Sequence, residues 1–203
     1  MKSLLIGITG KMGTGKSLFT TFFKKMGVPI YHSDKKCKKL MNEKKYIKTK
    51  IIKYFGKKSY LNNKINTHFL SKTVFNNIYA LKLLCSIIHP WVFLDFNNWI
   101  KSKKTLYYIK ESSLLFESGT YKYCHLIITI VSPIKKMIER IIQRDNLNEE
   151  QIMNRINFQT SNKEKIKYSN IIIHNNIHNT LYLENKAKNI HNKIIKKIYQ
   201  IYG

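Results

Sequence analysis

Acid is scarce in this 203-residue chain: 11 Asp and Glu stand against 37 Lys and Arg, and only Asp34, Asp95 and Asp145 are aspartates. Arginine is equally rare. It occurs at Arg140, Arg144 and Arg155, inside one 16-residue window of a chain that otherwise writes its positive charge as lysine. Cys37, Cys85 and Cys124 are odd in number and lack Cys-x-x-Cys spacing, which excludes a disulfide framework and predicts reduced, buried thiols. No uncharged apolar run approaches the ~18 residues of a spanning helix, and Leu4–Ile8 is too short for a signal core. A soluble, cytoplasmic protein without a membrane partner is expected. Nothing in the sequence fixes an oligomeric state.

What is present is a core-forming composition, 43% hydrophobic and 12% aromatic, which excludes a disordered basic tail despite a formal charge of +26. The lysines spread from Lys2 to Lys197 among abundant Ile, Asn and Tyr, residues of A- and T-rich codons. Most of the charge therefore reads as genomic bias, and no specific nucleic-acid partner is expected. The arginine window stands out as a segment that requires planar guanidinium forks.

Leu4–Ile8 reads as a strand buried on both faces, followed by a glycine-rich turn and a helix from Lys16 to Met26 that Gly27 and Pro29 stop. A short strand at Val28–Tyr31 completes a β-loop-α-β opening. Residues 35–100 read as a helical substrate-binding region, interrupted by a Lys- and Asn-rich connection at 56–66. Strands at Thr105–Ile109, Leu126–Val131 and Asn170–His174, and an amphipathic helix at Thr180–Ile198, give the alternation of a parallel sheet. The predicted fold is a three-layer α/β domain with a parallel sheet, residues 1–203.

Gly10-Lys11-Met12-Gly13-Thr14-Gly15-Lys16-Ser17 matches G-x-x-x-x-G-K-[ST] between a buried strand and a helix N-terminus. Its amides and the helix dipole suit phosphates, Lys16 reaches the β/γ-phosphates, and the Ser17 hydroxyl is a Mg²⁺ ligand. Asp34, just past the second strand, is the candidate general base for an attacking hydroxyl, with a helix N-cap for Lys35–Met41 as the structural alternative. At four-residue spacing Arg140 and Arg144 share a helix face and can meet a triphosphate, or pair with nearby acids. Glu111 at a strand end suits Mg²⁺ orientation. His174 and His178 share helical spacing without the intervening Glu of a zinc motif, so no metal is expected there.

Several ordered blocks resemble the dephospho-coenzyme A kinase family along nearly the full chain: the opening loop, Val28–Asp34, Ile88-His89-Pro90, Glu111–Gly119 with its Leu-Leu-Phe-Glu, Arg140-x-x-x-Arg144-Asp145 and Arg155-Ile156-x-x-Gln159. With the glycine-rich motif, the resemblance implies a three-layer α/β P-loop kinase fold and ATP-dependent phosphorylation of the ribose 3′-hydroxyl of dephospho-coenzyme A, with Mg²⁺ as cofactor. It assigns catalysis to Asp34, Lys16, Arg140 and Arg144. ATP contact falls to Lys11, Met12, Gly13, Thr14, Gly15, Lys16, Ser17, Leu18, Arg144 and Arg155. Substrate contact falls to Asp34, His89, Leu115 and Glu117, metal binding to Ser17 and Glu111, and a mobile lid to residues 133–165. His32 stands where a further Asp is frequent in the family, Ser113 where Pro is frequent, and Thr67 and Asn170 also depart from its pattern. The rival readings are a nucleoside or nucleotide kinase sharing the loop, and a non-enzymatic nucleic-acid-binding protein.

Overall fold

The computed structural model describes residues 3–145, 147–176 and 179–202. The chain opens with β1 (Leu4–Thr9), α1 (Lys16–Lys25) and β2 (Ile30–His32), and continues through α2 (Ser33–Glu43) and α3 (Lys45–Phe55). A two-stranded hairpin follows, β3 (Tyr60–Leu61) and β4 (Lys64–Ile65), then α4 (Thr67–Val74) and the 24-residue α5 (Ile78–Lys101). The remainder runs β5 (Tyr107–Glu111), β6 (Leu126–Val131), α6 (Ile134–Asp145), α7 (Glu149–Asn157), α8 (Asn162–Lys167), β7 (Ile171–His174) and α9 (Thr180–Tyr202).

Five strands form one parallel sheet in the order β2-β5-β1-β6-β7. β1 is central because every one of its residues past Leu4 is buried, a pattern that only a strand covered on both faces tolerates. On one face Ile6, Ile8, Ile128 and Ile130 pack against Phe19 and Phe23 of α1 and Ala187, Ile190 and Ile194 of α9. On the other, Leu5, Tyr31 and Tyr108 pack against Leu40, Ile47, Ile51, Val92 and Phe96 from α2, α3 and α5. Each large side chain buried this way contributes about 1.5–3 kcal/mol before chain entropy is counted. Helices α6 and α7 have their own small apolar seam of Met137, Ile141, Ile152 and Ile156, against which Met12 packs.

Two features differ from the sequence expectation. The 56–66 connection contains the β3–β4 hairpin, turned by Asn62 and Asn63 at φ 48° and 66°, left-handed values that asparagine tolerates better than other non-glycine residues. Helix α2 starts one residue earlier than Asp34, with His32 as its N-cap, so Asp34 lies inside the first turn and is not the capping residue. Helix α5 is long and apolar enough, by length and composition, to cross a membrane. It carries Lys82, Pro90 and Asp95, and Tyr31 Oη donates to Asp95 Oδ2 at 2.8 Å.

Candidate active site

The loop between β1 and α1 is shaped by glycine where nothing else fits. Gly13 and Gly15 sit at φ 77° and 96°, and a Cβ on Gly15 would lie 2.4 Å from Asn175 Nδ2. With no side chain there, backbone N–H groups line a concavity at the N-terminus of α1, the arrangement that binds phosphate. Lys16 is 7% exposed, and its Nζ donates to the Lys11 carbonyl at 3.1 Å. Burial lowers its pKa, while the carboxylates of Asp34 and Glu111 act in the opposite sense. One buried ammonium therefore feels both acids at once.

Those acids come from neighbouring strand ends. Because β2, β5 and β1 run parallel and adjacent, their C-terminal edges bring His32, Asp34, Glu111 and Ser17 to one crevice, where ligands of open α/β sheets bind. Glu111 Oε1 accepts from Ser17 Oγ at 3.1 Å, and its other oxygen pairs with His32 Nδ1. Burial opposes the Glu111 charge, yet the His32 hydrogen bond, the Lys16 charge and the Ser17 hydroxyl together hold its pKa below the ordinary value. Ser17 and Glu111 are an all-oxygen pair suited to a hard cation. Among the described residues no group of three or more His, Cys, Asp or Glu side chains is set to hold a metal by itself; a Mg²⁺ bound through one or two protein oxygens takes its remaining ligands from phosphate and water.

Asp34 Oδ2 accepts from Ser113 Oγ at 2.6 Å. From Asp34 a mostly apolar groove of about 250 Å³ runs between α2, α4 and α5, past Cys37, Met41, Leu70, Leu84 and His89. At Lys16 a smaller opening of about 120 Å³ is bounded by Gly13, Ser17, Arg140 and Arg144. The phosphate cradle at Lys16 and the groove that starts at Asp34, whose charge acts on Lys16, suit group transfer between two bound molecules.

A family model described as dephospho-CoA kinase matches residues 4–180. The chain belongs to the dephospho-CoA kinase family. Members phosphorylate dephospho-CoA with ATP in the final step of CoA biosynthesis, and this chain is a kinase of that class. It is 38% identical over 178 residues to a dephospho-CoA kinase of Fusobacterium nucleatum, covering 87% of this chain and 91% of the relative. A solved dephospho-CoA kinase from Campylobacter jejuni superposes with a TM-score of 0.66 at 28% identity, over 95% of this chain and 98% of that one. A Thermus thermophilus structure, 23% identical with the same coverage, shares the fold at a TM-score of 0.79.

Within this member of the dephospho-CoA kinase family the arginines divide. Arg140 Nη1 donates to the Gly13 carbonyl and to Ser132 Oγ, both at 3.1 Å, and Nη2 donates to the Asn175 carbonyl at 3.3 Å. Arg144 lies at the loop opening, forked onto its neighbour Asp145 at 2.8 and 2.7 Å. Arg155 is not brought to the loop: its guanidinium lies 5.5 Å over the Phe75 ring, in a polar groove between α4 and α7.

The proposed substrate residues divide as well. His89 lines the acceptor groove, its pKa lowered by burial and then by the Lys110 charge. Leu115 is fully buried beside Gly7, whose absent Cβ would come within 2.8 Å of it, so its side chain faces the core; the leucine on the groove is Leu114. Glu117 accepts from the Thr160 amide at 2.6 Å and pairs with the buried Lys165 at 3.3 Å, a brace between the loop after β5 and the start of α8.

Four residues of the site have a role that no sequence motif states, although His32 and Gln159 lie within the ordered blocks. His32 reads as a replacement for an acid, and the structure makes it the partner of Glu111. Asn175 donates from Nδ2 to the Thr14 carbonyl at 2.8 Å. Lys110, 3% exposed, holds its Nζ over the Phe96 ring and lines the crevice beside Asp34. Gln159 spans two loops. The thiols of Cys37, Cys85 and Cys124 are free and half-buried, and burial raises their pKa values to about 12, about 11 and about 11. His178 lies outside the described residues.

Proposed function

We propose that the acceptor is the ribose 3′-hydroxyl of dephospho-CoA and that Asp34 is the general base that receives its proton. The hydroxyl oxygen attacks the γ-phosphorus of ATP, the bond to the β-bridging oxygen breaks, and ADP leaves. The observation that carries this reading is the convergence on Lys16: a buried ammonium at the phosphate cradle with Asp34 and Glu111 both in its field, and Asp34 at the head of the acceptor groove.

Each residue then has a physical task. The loop of residues 11–18 wraps the triphosphate with its backbone N–H groups, that of Met12 excepted because it donates to Gln159, and the Lys16 charge offsets the negative charge at the phosphoryl oxygens. Arg140 stiffens the loop from behind, and Arg144 faces the opening where the transferring group passes. Ser17 and Glu111 would hold Mg²⁺, which would supply neutralisation of phosphate charge. Helices α6 to α8, residues 133–165, act as the lid that excludes water during transfer. His89 and the apolar groove receive the acceptor. Free thiols and the need for ATP support a cytoplasmic location.

An acceptor panel with ATP and Mg²⁺ tests the assignment. Turnover with dephospho-CoA alone is expected. Turnover confined to nucleoside monophosphates, or salt-sensitive DNA or RNA binding without turnover, contradicts it.

A further inference from the structure

Donor and acceptor are held by different loops. The phosphate loop follows β1, while Asp34 is steadied by Ser113 from the loop after β5. At their bases the two segments are joined by Ser17 Oγ to Glu111 and by the Ser112 amide to the Ile8 carbonyl, both at 3.1 Å. A third segment, the turn after α7, touches both. Gln159 there is 7% exposed; its Oε1 accepts from the Met12 amide at 2.9 Å and its Nε2 donates to the Ser113 carbonyl at 3.2 Å. Ser113 in turn donates its hydroxyl to Asp34. The carbonyl of Ser113 also accepts from Lys165 Nζ at 3.3 Å, but Lys165 makes its other contact to Glu117 and not to the phosphate loop.

We propose that Gln159 is a positioning residue that sets the distance between the phosphate loop and the Asp34 carboxylate. The inference rests on Asp34 being the base. Its physical basis is that a side-chain amide is both acceptor and donor, so a single buried glutamine satisfies a half-buried N–H on one loop and a half-buried C=O on the other. Phosphoryl transfer has little covalent chemistry for the protein to perform and depends on reacting atoms held about 3–3.5 Å apart, where a misplacement of about 1 Å can cost about 100-fold. A two-ended bridge between the donor loop and the loop that steadies the base acts on that distance without touching either substrate. The Met12 amide is already committed to Gln159 and is not counted among the phosphate donors, so the loss of the bridge is felt in transfer more than in ATP binding.

The test is a double-mutant cycle. Gln159→Glu keeps an oxygen for the Met12 amide but cannot donate to the Ser113 carbonyl, and Ser113→Ala removes the last link to Asp34. Each single variant is expected to lower kcat about 3- to 10-fold, the worth of about one hydrogen bond, with ATP Kd within about twofold of the parent. In the double variant kcat is expected to be no lower than in the worse single, because both changes cut the same chain. Parental kcat in Gln159→Glu, or losses that multiply in the double variant, overturns the proposal. A fall in kcat matched by an equal loss of ATP binding also overturns it, since that marks a folding or loop defect. Asp34→Asn, assayed alongside, separates the two claims: if it is inactive and Gln159→Glu is unaffected, the bridge alone fails; if it retains transfer, the base assignment fails.

Discussion

Arg140 and Gly13 are joined by a 3.1 Å hydrogen bond from Nη1 to the glycine carbonyl, and the same guanidinium reaches Ser132 and the carbonyl of Asn175. One of only three arginines in the chain thus binds three groups from three segments around the phosphate loop. Lysine cannot do this, since a compact ammonium lacks the rigid fork that spans separated acceptors. Arg140→Lys is therefore expected to lower the melting temperature of the ligand-free protein, with a stability loss of about 1–3 kcal/mol, and to weaken ATP binding. Thermal melts with and without ATP check it; an unchanged melting temperature contradicts the role of a strut.

Arg144 predicts the opposite pattern. It is forked onto the adjacent Asp145 and its side chain is 61% exposed, so that pair contributes at most about 1 kcal/mol. Arg144→Lys is expected to leave the melting temperature close to the parent while kcat/KM falls about tenfold or more, because an ammonium cannot make the two-pronged phosphate contact proposed for Arg144. Equal kcat/KM in variant and parent removes Arg144 from the transfer step.

The contrast between these arginines marks how far the sequence could be read. The scarcity of arginine in a lysine-rich chain pointed to both, and helical spacing put both on one face. Which one braces the loop depends on Asn175, a residue 35 positions away that arrives only when β7 pairs with β6. The phosphate loop, β1 and β6 were legible because glycine spacing and continuous apolar runs are local signals. The β3–β4 hairpin was missed because strands of two residues have no periodicity, although Asn62-Asn63 is itself a turn signal. The place of Leu115 in a motif suggests substrate contact, but the turn after β5 packs its side chain under Gly7, a tertiary contact that no local pattern announces.

Glu111 sets a pH dependence. Its folded pKa is below its ordinary value of 4.5, so its contribution to folding is fully present above that pH and is lost as pH falls through the folded value. Glu111→Gln removes the contribution at all pH values. The difference in melting temperature between parent and variant is expected to be largest near neutrality and to shrink below about pH 4.5. A difference that grows on acidification has the wrong sign for this account.

Asp34 carries the central claim, and Asp34→Asn tests it most directly. The N-cap of α2 is His32, so the substitution leaves the cap intact and costs at most about 1 kcal/mol through the lost charge in the first helical turn. The measurement is single-turnover phosphoryl transfer from ATP to dephospho-CoA, with ATP affinity and melting temperature read on the same preparation. The account predicts transfer slowed by about 10²–10⁴-fold with ATP affinity and melting temperature nearly unchanged; transfer at the parental rate contradicts it.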